Sequence, residues 1–264
     1  MRSFKRSIAA LIAALVLAQS AGASEVAITQ SRETLAGLAP GFVYLRDVDP
    51  SILQDIRYAG ADNFTGRPVP GYAAAECVLT RAAAEALARI QVALRPQNLT
   101  LKVYDCYRPQ RAVLSFVAWA KEKDRASPTR RFFPNLRKEQ LVPLGYIAEQ
   151  SSHPRGVAVD LTLVQLPVAD VSPLDPKVAY APCTAKAAQR APDNSVDMGT
   201  GYDCFDTQSH TASPRINKEQ RAWRQRLLGA MTKEGFENFD KEWWHYVFPS
   251  PDQTVHDFEV TKHD

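Results

Sequence analysis

The sequence predicts one α+β domain, with a central antiparallel sheet flanked by helices, and three observations carry that prediction. Val157, Val159, Leu161 and Leu163 alternate with Ala158, Asp160 and Thr162, the two-residue period of a strand. Ala83, Leu87, Ile90 and Leu94 recur at helical spacing. No internal repeat and no low-complexity linker divides the chain.

Residues 1–23 read as an export signal. Arg2, Lys5 and Arg6 precede a short apolar run from Ile8 to Ala18, and Ala21-Gly22-Ala23 supplies the small-residue cleavage pattern. The run is far shorter than the ~20 residues a membrane span requires, so stable membrane insertion after cleavage is not expected. Residues 24–264 then form the domain. The net charge of +3 comes from 32 Lys and Arg against 29 Asp and Glu. Three of those cations and no anion lie in the signal, so the remainder is formally neutral. No basic stripe with interleaved aromatics is present, and a nucleic-acid partner is not expected.

The four cysteines, Cys77, Cys106, Cys183 and Cys204, form no Cys-x-x-Cys motif. An exported chain with an even count favours disulfides. Three connectivities are possible. Pairing by proximity, Cys77 with Cys106 and Cys183 with Cys204, is the expectation, against an alternative of four buried thiols.

Along the domain, residues 24–41 read as a loose lead-in. Phe42 to Leu45 is a short strand-forming run, and Ile56-Arg57-Tyr58 alternates as a strand would. Asn63 to Pro68 is turn chemistry. Thr80 caps a helix running to about Leu94, Leu99 to Tyr104 reads as a strand, and Pro109 opens a second helix. Residues 124–138 read as a basic surface excursion and 166–195 as a long loop. Asn217 with Gln220 resembles a capping box for a helix that Gly235 ends. The last strand covers about Trp243 to Phe248.

The chemistry concentrates in two stretches, Ser151-Ser152-His153-Pro154-Arg155-Gly156-Val157-Ala158-Val159-Asp160 and Glu242-Trp243-Trp244-His245. Together they offer two imidazoles and two carboxylates. A catalytic zinc site takes three protein ligands, leaves a position for water, and needs a neighbouring base. His153, Asp160 and His245 fit as ligands and Glu242 as the base. His153 and Asp160 are seven apart, which would put them on opposite faces of a strict strand. Pro154 and Gly156 argue against a strict strand there, so His153 belongs on the loop entering it. Glu242 likewise belongs on the turn before the last strand, with His245 inside it. The zinc site is thus expected at a sheet face.

Taken singly, each residue also has a plain structural reading. A histidine beside a proline is commonly a surface or core residue, and an aspartate on a strand often caps a turn. Gly-x-Ser-x-Gly, Ser-x-x-Lys and the helical His-Glu-x-x-His are all absent.

Ser-x-His-x-x-Gly-x-Ala-x-Asp followed by Glu-x-x-His resembles the signature of the zinc D-alanyl-D-alanine dipeptidases, VanX-type enzymes in particular. Tyr58, Asp62 to Gly66 and Tyr72 look like their N-terminal block. Asp105 to Pro109 looks like their active-site arginine segment. Met198 to Asp203 with Ser209-His210 resembles their middle loop. The likeness spans roughly residues 42–250. It implies one zinc per chain on His153, Asp160 and His245, Glu242 as general base and then acid, and Arg108 stabilising the oxyanion. It further implies Tyr58 and Asp203 on the ammonium of a D-Ala-D-Ala dipeptide and Tyr72 and Ser151 on its carboxylate. A salt bridge to Asp105 is the structural alternative for Arg108. The signal, the four cysteines and the longer 166–195 loop depart from the family pattern, and the signal implies a periplasmic or secreted enzyme acting in wall turnover or nutrient salvage. Alternatives are a D,D-carboxypeptidase or endopeptidase on longer wall peptides, and a zinc-stabilised binding module.

Overall fold

The computed structural model describes residues 37–123, 128–175 and 177–263, so the segment read as an export signal lies outside the described residues. Contacts divide the chain after Pro40, and the unit Gly41–Asp264 holds every element named below. Its strands are β1 (Phe42–Tyr44), β2 (Leu53–Gln54), β3 (Val78–Thr80), β4 (Leu99–Asp105), β5 (Ala158–Gln165), β6 (Glu237–Asn238) and β7 (His245–Val247). Its helices are α1 (Leu45–Val48), α2 (Arg81–Leu94), α3 (Gln110–Lys121), α4 (Lys138–Leu141) and α5 (Lys218–Lys233). The architecture is α+β, as expected.

The main sheet runs β2-β4-β5-β7-β6, with β1 and β3 paired separately. The pairs β4–β5, β5–β7 and β6–β7 are antiparallel. The edge pair β2–β4 is parallel, which makes the sheet mixed rather than wholly antiparallel. A parallel neighbour needs a long crossover, and the intervening β3 and α2 supply it. All of β4 is buried, as is β5 up to its last residue, so this pair forms the floor of the core.

The helices follow from their sequences. α2 buries Ala83, Leu87, Ile90 and Leu94 as their spacing predicts. Thr80 sits at its N-cap position, yet its side chain makes no cap bond; its backbone N–H goes to Gly156 O at 2.8 Å. α5 begins with the expected capping box, in which Gln220 N donates to Asn217 Oδ1 and Asn217 N to Gln220 Oε1, each at 2.9 Å. Gly235 follows α5 at φ 91, a left-handed conformation that glycine adopts without strain.

Two expectations are corrected. Ile56-Arg57-Tyr58 forms no strand; Arg57–Ala59 is a 3-10 turn. Asn63 Nδ2 donates to Arg57 O and Gly60 O, which satisfies the turn's carbonyls and curls the chain. Residues 128–138 are not a surface excursion, because Phe132 and Phe133 are buried. Their backbone is stitched to the loop beyond: Cys183 N donates to Arg131 O at 2.8 Å and Phe205 N to Phe132 O at 2.7 Å. Burial of two aromatic rings outweighs the basic character of the segment.

Both disulfides pair as expected, Cys77 with Cys106 and Cys183 with Cys204. Cys77–Cys106 closes 29 residues of chain. Its loss by Cys77→Ser with Cys106→Ser is expected to cost about 2–4 kcal/mol, read as a lower urea midpoint.

The long loop returns to the sheet through Asp193, which accepts from Lys102 Nζ at 2.7 Å, Arg57 at 2.8 Å, Tyr104 Oη at 2.8 Å and Ser195 N at 2.7 Å. Burial opposes its charge, but Lys102 and Arg57 outweigh that and hold the carboxyl below the usual range. A depressed folded pKa means the stabilisation is complete above the unfolded value near ~3.9 and fades as pH falls through the folded one. Asp193→Asn is therefore expected to cost about 3 kcal/mol at pH 7. The gap should narrow in urea titrations below about pH 4, and an unchanged gap there would reject the assignment.

Candidate active site

The sheet register assembles half of the site. Asp105 on β4 stands opposite Asp160 on β5, and Asp160 stands opposite His245 on β7. A bulge in β4 between Val103 and Asp105 makes this pairing possible by advancing β4 one residue against β5. His153 arrives from a 3-10 turn, His153–Arg155, just before β5. Gly156 ends that turn at φ 69, and a Cβ there would lie 2.1 Å from the Phe42 ring, so only glycine fits. Glu242 sits on the turn before β7, as the spacing predicts.

His153, Asp160 and His245 each turn one donor atom to a common point, all within 4.8 Å of one another. His245 Nδ1 lies 2.9 Å from Asp160 Oδ1, and His153 Nε2 lies 3.4 Å from the same oxygen and 3.2 Å from His245 Nδ1. His153 Nδ1 is 2.6 Å from Cys106 O. A carbonyl only accepts, so Nδ1 carries the hydrogen and Nε2 presents its lone pair inward. Two ring nitrogens and a carboxylate oxygen facing one point form a set of donors that could hold a cation. The set matches a divalent metal with three protein ligands and an open side.

The open side faces a cleft of about 220 Å³. That is below the ~300–1,000 Å³ of pockets for drug-sized molecules and suits a small substrate. Glu242 lines it, with a carboxylate oxygen 4.0 Å from His245 Nδ1. Burial, then Asp160 and Asp203, push its carboxyl well above the usual range.

Arg108 also lines the cleft. Its Nε and Nη2 both reach Asp105 Oδ2 at 2.8 Å, and Nη2 lies 3.4 Å from Asp160 Oδ2. The salt bridge considered as its structural alternative is thus present. It fixes a guanidinium that still borders the cleft, stacked near the rings of Tyr58 and Phe116 at 5.1 and 5.0 Å.

Of the four expected substrate contacts, three line the cleft: Tyr58, Asp203 and Ser151. Tyr58 Oη donates to Asp203 Oδ2 at 2.8 Å. Asp203 has φ 55, a left-handed conformation uncommon outside glycine, at the cleft wall. Burial, then Asp160, push its carboxyl well above the usual range. Ser151 Oγ accepts from His153 N at 3.3 Å at the rim.

Tyr72 departs from expectation. It does not line the cleft, and its hydroxyl is spent on Asp105 Oδ1 at 2.6 Å. Its placement therefore does not support a contact with the substrate carboxylate.

Sequence reasoning gave no role to Tyr202, whose hydroxyl donates to Asp160 Oδ2 at 2.9 Å, nor to the cleft residues Tyr146, Phe205 and Phe239. Only its place beside Asp203 in Gly201-Tyr202-Asp203 singled out Tyr202.

An α+β sheet that carries a two-histidine, one-aspartate cluster beside a cleft carboxylate is the design of a metallopeptidase. The Peptidase M15 family, D-ala-D-ala dipeptidase, matches residues 38–172 and 187–262. The chain belongs to this family, whose members depend on a metal. It is 34% identical over 207 residues to the D-alanyl-D-alanine dipeptidase of Enterococcus faecium, covering 78% of this chain and 91% of that one. Against the D-alanyl-D-alanine dipeptidase of Streptomyces coelicolor the figures are 33% over 222 residues, 83% and 98%. Against that of Escherichia coli they are 30% over 207 residues, 78% and 84%.

Proposed function

We propose that the chain hydrolyses the D-alanyl-D-alanine dipeptide to two D-alanine molecules, with one zinc ion held by His153, Asp160 and His245. The observation that carries the reading is the pairing of a three-residue cluster that could hold a metal with a buried carboxyl, Asp203, across one small cleft. Zinc on these three residues supplies a water of lowered pKa and an electrophile for the peptide carbonyl. Glu242 takes the proton of the attacking water and returns it to the departing amine. Arg108, fixed by Asp105, meets the negative charge that grows on the carbonyl oxygen. Asp203 and Tyr58 bind the free ammonium, and Ser151 binds the carboxylate. Tyr72 acts behind them, holding Asp105 and through it Arg108.

Burial of Asp203 sets the specificity. A buried carboxylate is stabilised by a charged ammonium and finds no partner in an amide, so blocking the substrate's amine leaves it unpaired. The purified protein with equimolar zinc is expected to cleave D-Ala-D-Ala and leave N-acetyl-D-Ala-D-Ala intact. Comparable cleavage of both would transfer the assignment to a D,D-carboxypeptidase. Cleavage of neither, with zinc bound, would reject it.

We further propose that residues 1–23 export the enzyme to the periplasm or beyond, where it serves wall turnover or salvage of D-alanine. The two disulfides support an oxidising compartment. Cell fractionation with sequencing of the mature N-terminus tests this, and an uncleaved cytoplasmic protein would overturn it.

A further inference from the structure

We propose that Tyr202 is a positioning residue, which holds one carboxylate oxygen of Asp160 so that the other stays free for the metal. The proposal rests on the reading of His153, Asp160 and His245 as metal ligands.

The two oxygens of Asp160 have different surroundings. Oδ1 faces His245 Nδ1 at 2.9 Å and His153 Nε2 at 3.4 Å, the point where the three donors meet. Oδ2 faces Tyr202 Oη at 2.9 Å and Arg108 Nη2 at 3.4 Å. The Tyr202 hydroxyl has a single hydrogen. Its other neighbour, Tyr58 Oη, is 3.4 Å away, and Tyr58 already donates to Asp203. The hydrogen goes to the nearer and charged acceptor, Asp160.

This bond settles a competition. Asp160 and Arg108 carry opposite charges in a buried setting and attract each other strongly. A full pairing would draw Asp160 off the metal and draw Arg108 out of the cleft. Tyr202 makes the shorter bond to the Asp160 oxygen that Arg108 also reaches, at 2.9 against 3.4 Å, while Asp105 holds the guanidinium from behind at 2.8 Å. Both charges remain available for their separate tasks.

The hydroxyl is itself held rigidly. The Tyr202 ring stacks on Tyr104, with centroids 4.5 Å apart and planes 14° apart, and meets Trp244 edge-on at 5.5 Å. Tyr104 is fixed in turn by its bond to Asp193 and by Arg57 and Lys102 near its ring at 5.1 and 5.0 Å. The disulfided Cys204, two residues on, anchors the loop.

Tyr202→Phe keeps the stacked ring and removes the bond. In competition with a chromophoric chelator and no substrate present, its zinc dissociation constant is expected to rise about 10–100-fold. The melting temperature of the chelator-stripped protein should stay close to that of the wild type. Tyr104→Phe keeps the ring on which Tyr202 stacks and removes only the hydroxyl bonded to Asp193, so it should weaken zinc binding far less. Wild-type affinity in Tyr202→Phe would overturn the proposal, as would an equal loss in Tyr104→Phe. A wild-type protein that takes up no zinc would sink the metal reading, and this proposal with it, before any variant is compared.

Discussion

Glu242→Gln is expected to lower kcat on D-Ala-D-Ala by about 10²–10⁴-fold, the range for removal of a general base, while zinc content stays at one per chain. The amide keeps the shape of the carboxylate and cannot accept the proton of the attacking water. Glu242 is not one of the three converging donors, so metal uptake should survive. The carboxyl is buried beside Asp160 and Asp203, and removing one of three crowded anions relieves repulsion. The variant is therefore expected to melt no lower than the wild type. Rate measurements paired with metal analysis check this. Loss of zinc together with activity would make Glu242 a ligand rather than a base, and wild-type turnover would remove it from the chemistry.

Arg108→Met should lower kcat/KM by about 10²–10³-fold, the cost of losing one oxyanion donor. It should also destabilise the fold, because Asp105 is fully buried and loses its charged partner. Stranding such a charge costs about 3–5 kcal/mol. Arg108→Lys separates the two effects. It restores a positive charge but not two nitrogens on one carboxylate oxygen, so stability should return in part while the rate stays low. If Arg108→Lys recovers full activity, the guanidinium acts through charge alone. If the rate of Arg108→Met falls no further than its stability explains, Arg108 is structural. Steady-state kinetics beside urea denaturation distinguish these outcomes.

Both predictions depend on the join between β4 and β5. The bulge at Val103 and Asp105 brings two aspartates side by side, an unfavourable arrangement unless cations flank it. Arg108 lies on one side, and the metal cluster lies on the other. Burial pushes the Asp105 carboxyl up, with Arg108 opposing it, while Asp160 lies against the two histidines. The pair thus divides its surroundings: one aspartate serves the arginine and the other the metal point.

The convergence of His153, Asp160 and His245, with Glu242 beside them, was legible in the sequence because they sit in two compact stretches. Pro154 and Gly156 mark a turn before a strand, so the place of His153 follows from local backbone chemistry. Glu242 and His245 lie three apart, and a turn leading into a strand accounts for both. The helices were legible for the same local reason, since the spacing in α2 and the capping box in α5 each span a few residues. Proximity along the chain also led to the disulfide pairs.

What the sequence could not determine depends on contacts across long separations. Tyr72 looks like a substrate contact in sequence, and only the packing of residue 72 against residue 105 shows its hydroxyl already spent. Tyr202 and Asp160 are 42 residues apart, and no local pattern announces their bond. Arg57, read as part of a strand, instead pairs with Asp193, 136 residues away. The parallel edge of the sheet depends on how a two-residue strand meets β4 after a crossover. The residue types that converge at residues 153, 160 and 245 are local chemistry and were set by the order of residues. Which oxygen of Asp160 faces the two histidines, and which hydroxyl faces the cleft, was decided by tertiary packing, because a hydroxyl has one hydrogen to donate and its acceptor is chosen in space.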